Sequence, residues 1–414
     1  MTAVASRILD APSARAWTRR VAHALALGET VFAVFPETID ASKVIDDVAV
    51  AVDGRGCTVK EIDLAVCALL RPLAALAGEI GISATAATTP EMFVAHPEVP
   101  PVIRLSGFGA LSEGEAVQWV ATIERIARAS SKRPGQGAAI LCHVAGHTHI
   151  GVLPSPASHL QLHWWVGIPS ATELLLTCRD EREYTHAARQ SWREHVLSSL
   201  AGNDPLLADA LWEIVFESDE AIGRALRGYA ARRGWNSAQL TKHGANEIVP
   251  SPLAGRNREP PRQRELWAMG AVVQTEEFGL ELHSAALAAL ERDAEWVHRL
   301  WRGQAALVLP VLEDLRLRVC QRLSDVWGTN WPFRWERPQS EEEYKEVKDD
   351  PLAASWGFLA HLHRVALNLS RDAAMGALVN RARYIRNELS HNRPIRFPDY
   401  RVLHDRAGDL LWPK

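Results

Sequence analysis

The sequence predicts an α/β domain with a largely parallel sheet, followed by an all-α helical bundle. Three observations carry that reading. Short apolar runs alternate with segments of helical periodicity through the first 180 residues. A polar stretch over 244–264 holds Pro250, Pro252, Gly255, Pro260 and Pro261, which marks a linker. Beyond it, apolar residues recur at helical spacing. The chain therefore divides into an α/β domain over 1–180, a helical subdomain over 181–243, a Pro-rich linker over 244–264 and a helical domain over 265–414.

The elements follow in order. Behind Pro12, Trp17, Val21, Ala24 and Leu25 share one face of a helix over 13–27 that Gly28 ends. The run Thr-Val-Phe-Ala-Val-Phe over 30–35 is a buried strand stopped by Pro36. Helices are expected over 44–52, 62–78 and 116–129, and further strands over 102–105, 138–144, 160–166 and 173–177. Helices over 191–200, 206–215 and 219–233 precede the linker. From Leu266 onward the reading is helical throughout. There, Leu307, Val311, Leu315, Val319 and Leu323 recur every four residues, and helices follow over 352–369 and 373–390, while 327–343 with its acidic run reads as a loop.

At 414 residues, 47% of them hydrophobic and 23% charged, the chain is long enough for two or three cores and has an ordinary globular composition. The net charge of −4 excludes a global basic field that would draw it to nucleic acid. Five scattered cysteines without a CxxC argue for a reducing compartment, and no apolar run approaches membrane-spanning length, so a cytoplasmic protein with no membrane partner is expected. The fifteen tryptophans are expected mostly in cores and interfaces. Cys142, His143, His147, His149, His159 and His163 lie close in sequence, yet no one local conformation presents them all, so neither a metal nor another cofactor is expected.

The chemistry concentrates near the C-terminus, in Arg386-Asn387-Glu388-Leu389-Ser390-His391. Met375, Leu378, Val379, Ala382, Ile385 and Leu389 form the apolar arc of the helix over 373–390, and Pro394 forbids its continuation. Arg386 falls inside that arc, where a guanidinium needs an anion or a polar partner. Asn387 and His391 are four apart and share a neighbouring face. A cation, an amide and an imidazole at one helix end suit phosphodiester chemistry: the imidazole moves a proton while the guanidinium stabilises charge on phosphoryl oxygens. Around them, Arg381, Arg383, Arg386, Arg393, Arg396 and Arg401 face only Glu388 and Asp399, a basic strip fit for a phosphate backbone.

These residues resemble the signature of the HEPN superfamily, an Arg, a polar residue and then a His near the end of a long helix. The surrounding Arg-Asn-x-x-Ser-His-x-x-Pro looks like its abortive-infection and toxin branches. The bare spacing also occurs at Arg179 with His186, Arg189 with His195, and Arg292 with His298; only the C-terminal match adds Asn after Arg, a clean amphipathic helix and a proline stop. The resemblance implies a metal-independent endoribonuclease acting as a homodimer, with Arg386, Asn387 and His391 catalytic and Arg386 directed into the subunit interface. Arg381, Arg383, Arg393 and Arg396 are expected to bind RNA. It further implies a toxin or anti-phage defence effector with a cognate antitoxin or defence-system partner. The alternative is a non-catalytic dimeric interaction or RNA-binding protein, or a nucleotide-binding regulator.

The first half resembles, in architecture, the P-loop ATPase core of the AAA+ and STAND type. Val102-Ile103-Arg104-Leu105 stands where an acidic metal-binding strand would lie, Ala139-Ile140-Leu141 where a sensor strand would lie, and Gly202-Asn203-Asp204-Pro205 looks like the turn opening a helical lid. The catalytic motifs are absent: the loop Pro36-Glu37-Thr38-Ile39-Asp40-Ala41-Ser42-Lys43 has no glycine, and Ser106-Gly107 replaces the acidic pair. A degenerate, non-hydrolysing domain is expected.

Overall fold

The structure, a computed structural model, describes residues 7–67, 71–83, 87–133, 137–178, 187–248, 263–275, 279–334, 338, 340–365 and 373–411. It contains a parallel five-stranded sheet and many helices. In chain order the elements that matter here are α1 (Pro12–Ala26), β1 (Thr30–Phe35), α2 (Ala41–Asp53), β2 (Val59–Asp63), β3 (Val102–Ser106), α3 (Glu113–Ser130), β4 (Ala139–Ala145), β5 (Leu160–Trp164), α4 (Ala171–Thr177), α5 (Ala187–Ala201) and α6 (Pro205–Leu211). They continue with α7 (Asp219–Arg232), β6 (Val272–Thr275), β7 (Gly279–Leu282), α8 (Asp293–Trp327), α9 (Glu341–Asp349), α10 (Trp356–Val365), α11 (Ala373–Ser390) and α12 (Phe397–Leu411).

Two compact units share the chain. The first takes Met1–Thr177, Ala201–Asp209 and Tyr229–Leu290, and the second takes Cys178–Leu200, Ala210–Gly228 and Glu291–Lys414. Most of the proposed linker, 249–262, lies outside the described residues.

In the first unit the sheet order is β2-β3-β4-β1-β5, every neighbouring pair parallel. All six residues of β1 are buried, because it is flanked on both edges, Val31 lying opposite Leu141 on one side and Gln161 on the other. Trp17 of α1 packs its ring 5.2 Å from that of Phe35 and donates its indole N–H to the Trp164 carbonyl at 3.1 Å. The strands expected over 30–35, 102–105 and 138–144 are present, and 160–166 contains β5.

Four expectations are corrected. Residues 173–177 form helix α4: Ser170 and Glu173 make a reciprocal capping pair, with Glu173 N–H donating to Ser170 Oγ at 3.3 Å and Ser170 N–H to the Glu173 carboxylate at 2.8 Å. β2 takes Ile62, which the periodicity assigns to a helix. It is an edge strand with Ile62 as its one fully buried residue, so it shows no apolar run. The chain after Leu266 is not wholly helical, since β6 and β7 form an antiparallel pair. The acidic run beyond 340 is likewise helix α9, begun by Ser340 Oγ accepting from Glu343 N–H at 3.3 Å.

His143 on β4 and His163 on β5 are mostly buried, and burial holds both below the ordinary imidazole value of 6.5, with nearby Arg104 and Arg20 adding to the effect. The sign follows: at pH below 6.5 the unfolded chain binds protons that the folded unit refuses, so stability falls as pH falls through 6.5. The thermal midpoint of the first unit should drop between pH 7.5 and pH 5.5. The drop should be shallower in a His143→Gln, His163→Gln double variant.

The second unit is built on α8, 35 residues long, with Leu307, Leu315, Val319 and Leu323 buried along one stripe. α5 crosses it at close range. A Cβ on Gly303 would stand 2.6 Å from the His195 carbonyl oxygen and 3.1 Å from Val196 Cα, so only glycine allows the two backbones to approach this far. α11 occupies the predicted 373–390, and its six predicted core residues are all 5% exposed or less.

Candidate functional site

The end of α11 is closed by the backbone. Asn392 has φ +56, its N–H donates to the Leu389 carbonyl at 3.2 Å, and Arg393 N–H donates to the Glu388 carbonyl at 3.0 Å. This is a Schellman arrangement with asparagine in the left-handed position, and His391 is the cap residue. Pro394 follows a helix that has already ended.

Two residues of α8 hold this turn in place. Trp301 donates its indole N–H to the Leu389 carbonyl at 2.7 Å. The Gln304 amide, 1% exposed, donates to the Ile395 carbonyl at 2.9 Å and accepts from Ile395 N–H at 2.8 Å. Nothing near the C-terminal motif announces these partners, which lie about ninety residues upstream; the available signal was a glutamine set among Leu300, Leu307 and Val308 on the buried stripe. Gln304→Leu should cost about 1–3 kcal/mol by stranding both polar groups of Ile395, and hydrogen exchange should find the Ile395 amide deprotected.

Arg386, expected to point from the apolar arc into a subunit interface, is exposed in the single chain. By its angular position it lies within that arc, between Met375 and Val379, and it opens onto a cavity. Its main-chain carbonyl accepts from Ser390 Oγ at 2.7 Å, but its side chain has no partner among the described residues. Asn387 lines the same cavity with Arg386. His391 is exposed, its ring also without a partner among the described residues, and it does not line the cavity.

The basic strip divides by its carboxylates. Asp399, 4% exposed, takes Arg381 at 2.6 Å and Arg396 at 3.4 Å. Glu388 takes Arg393 through both carboxylate oxygens, at 2.7 and 2.8 Å. Arg383, Arg386 and Arg401 have no such partner among the described residues. Thus three of the four arginines expected to bind RNA are already paired within the chain, and Arg383 is the exception.

The other matches to the Arg and His spacing are engaged elsewhere. Arg189 pairs with Glu213 and lies over the Phe216 ring, and Arg292 pairs with Glu295 while His298 stacks on Trp301. Arg179 and His186 lie outside the described residues.

In the first unit, the loop after β1 is tied to protein groups. Glu37 N–H donates to the Ala268 carbonyl at 2.8 Å, the Glu37 carbonyl accepts from Arg233 at 3.1 Å, and its carboxylate meets His147 Nδ1 at 2.6 Å. A cavity of about 330 Å³ beside it is lined by Ile8, Leu9, Glu37, Asp40, Pro205 and Leu206, among others. Two carboxylates and one spent amide stand where a phosphate cradle would need free N–H groups and a cation. His149 is 2% exposed with its ring edge-on to Phe108 at 5.4 Å. Among the described residues, no group of three or more His, Cys, Asp or Glu side chains could hold a metal ion, and no helix is long and apolar enough to cross a membrane.

Compared with protein-family models, with curated proteins and with solved structures, the chain shows no match.

Proposed function

We propose that this chain is a metal-independent endoribonuclease of the HEPN kind, working as a homodimer. One observation carries the reading: the side chains of Arg386 and His391 stand at one helix end, exposed and without intramolecular partners among the described residues, while Arg381, Arg393 and Arg396 are neutralised by Asp399 and Glu388. An unpaired guanidinium and an unpaired imidazole are what an incoming phosphodiester requires.

The reaction is transesterification. The RNA 2′-oxygen attacks its own phosphorus as its proton passes to His391, and Arg386 compensates the charge that builds on the phosphoryl oxygens. The bond to the 5′-oxygen breaks, and that oxygen takes a proton from the second copy of His391 in the dimer. The products are a 2′,3′-cyclic phosphate and a 5′-hydroxyl. Asn387 orients the phosphate beside Arg386.

For the first unit, the parallel sheet with β1 between β4 and β5 supports a P-loop-like ATPase core, and the carboxylates of the loop after β1 support one that does not hydrolyse ATP. Such a pairing fits a toxin or defence effector held in check by its own first unit or by a cognate partner. The test is incubation of purified wild type, Arg386→Ala and His391→Ala with total cellular RNA in excess EDTA, with fragment ends mapped. Cleavage by wild type alone, leaving cyclic phosphate ends, is the expected result. Three folded proteins that leave RNA intact would favour the non-catalytic, RNA-binding reading.

A further inference from the structure

A cavity of about 550 Å³ opens in the second unit, lined from α8, from the turn before α10, and from α11. That volume is in the range of small-ligand sites. Its charge balance is uneven. Arg316 and Glu313, both in the lining, neutralise each other through two bonds of 2.6 and 3.0 Å, and Arg316 also donates to the Leu352 and Ala354 carbonyls. Arg383 and Arg386 face the same space with no carboxylate among the described residues, so two positive charges remain uncompensated.

The neutral donors point the same way. The Asn387 amide has no partner among the described residues. Trp356 and Gly357 begin α10, a helix of ten residues, and their N–H groups likewise have no acceptor among the described residues. Two guanidiniums, an amide and two first-turn N–H groups around one space form an oxyanion receptor. A lone phosphate ion would fill a small part of the volume, and Leu309, Leu312 and Trp356 supply apolar wall for the remainder.

We propose that this cavity binds a nucleotide: its phosphate on Arg383, Arg386 and Asn387 and the amides that open α10, its sugar and base against the apolar wall. Two sources offer that chemistry, one unit of a single-stranded RNA or a free mononucleotide. With RNA as the source, the inference rests on the nuclease reading and names the subsite next to the scissile phosphate. With a free mononucleotide, it stands apart from cleavage.

The experiment is calorimetric titration, in EDTA, of the full chain with inorganic phosphate, the four 5′-mononucleotides and a short single-stranded oligoribonucleotide carrying a 2′-O-methyl block. Wild type is compared with Arg383→Gln and Gly357→Met. Arg383 has no partner to lose, and a Cβ on Gly357 has Ser355 Oγ as its nearest contact at 3.4 Å, so both variants should fold. The expected result is saturable binding by wild type, weakened about 10- to 100-fold by Arg383→Gln and lost in Gly357→Met, whose side chain fills the cavity. Binding of mononucleotides identifies a free nucleotide as the source; binding of the oligonucleotide alone identifies a strand. No binding of any probe to wild type, or binding that survives both variants, overturns the proposal. Binding without RNA cleavage would sink the nuclease reading and leave the pocket standing, and cleavage by a protein whose cavity binds nothing would do the reverse.

Discussion

Replacing His391 with alanine is expected to lower the rate of RNA cleavage by about 10²- to 10⁴-fold, the usual contribution of a positioned proton-transfer group. The fold should hardly respond. His391 contributes its backbone to the end of α11, where the bonds from Asn392 and Arg393 N–H groups complete the cap, and its exposed ring has no partner among the described residues. Thermal unfolding should therefore agree with wild type to within about 0.5 kcal/mol, as for exposed substitutions generally. Arg386→Ala should cost about 10²- to 10³-fold, the loss of one charge-stabilising donor. Arg386→Lys should restore little of it, because a point charge does not replace a planar fork on phosphate oxygens. A His391→Ala protein that cleaves at the wild-type rate would remove His391 from the chemistry, whatever nuclease activity the preparation shows.

Asp204→Ala should cause the largest stability loss in the first unit, about 3–5 kcal/mol, because it breaks a buried charged network from one side. Asp204 is 2% exposed. Its Oδ1 accepts from the Leu206 and Leu207 N–H groups at 2.8 and 3.2 Å, opening α6, and its Oδ2 accepts from the Tyr229 hydroxyl at 2.5 Å with His283 Nε2 at 3.3 Å. His283 in turn accepts Ala285 N–H at Nδ1, which leaves Nε2 as the nitrogen that carries the proton. Burial and the adjacent carboxylate push the Tyr229 hydroxyl far above the ordinary tyrosine range, so it remains a donor at any working pH. Tyr229→Phe should cost less, about 1–3 kcal/mol, by removing one donor and leaving the others. Calorimetric melts of both variants check this. An Asp204→Ala midpoint equal to wild type would show that the network contributes no stability.

The C-terminal helix and the central strands were legible because they rest on local pattern. An apolar arc at 3.6-residue spacing fixes 373–390 as a helix whatever it packs against, and Thr30–Phe35, apolar throughout but for its first residue, has no stable place except inside a sheet. The sequence likewise brought Arg386, Asn387 and His391 to one helix end, since separations of one, four and five residues decide that on any α-helix.

What tertiary structure decided is everything that depends on a distant partner. β2 is a strand because β3 pairs with it, although only Ile62 of its five residues is fully buried. A sum of charges along 381–401 treats six arginines alike, yet Asp399 comes back from the next helix to take Arg381, eighteen residues away, together with Arg396. Which guanidiniums stay available to a ligand is therefore a property of helix packing. The cavity joins α8, the start of α10 and α11, segments separated by tens of residues, and no local pattern encodes that meeting. Local sequence sets backbone periodicity and which side chains share a face; long-range packing then settles which of those side chains are neutralised, buried or left open.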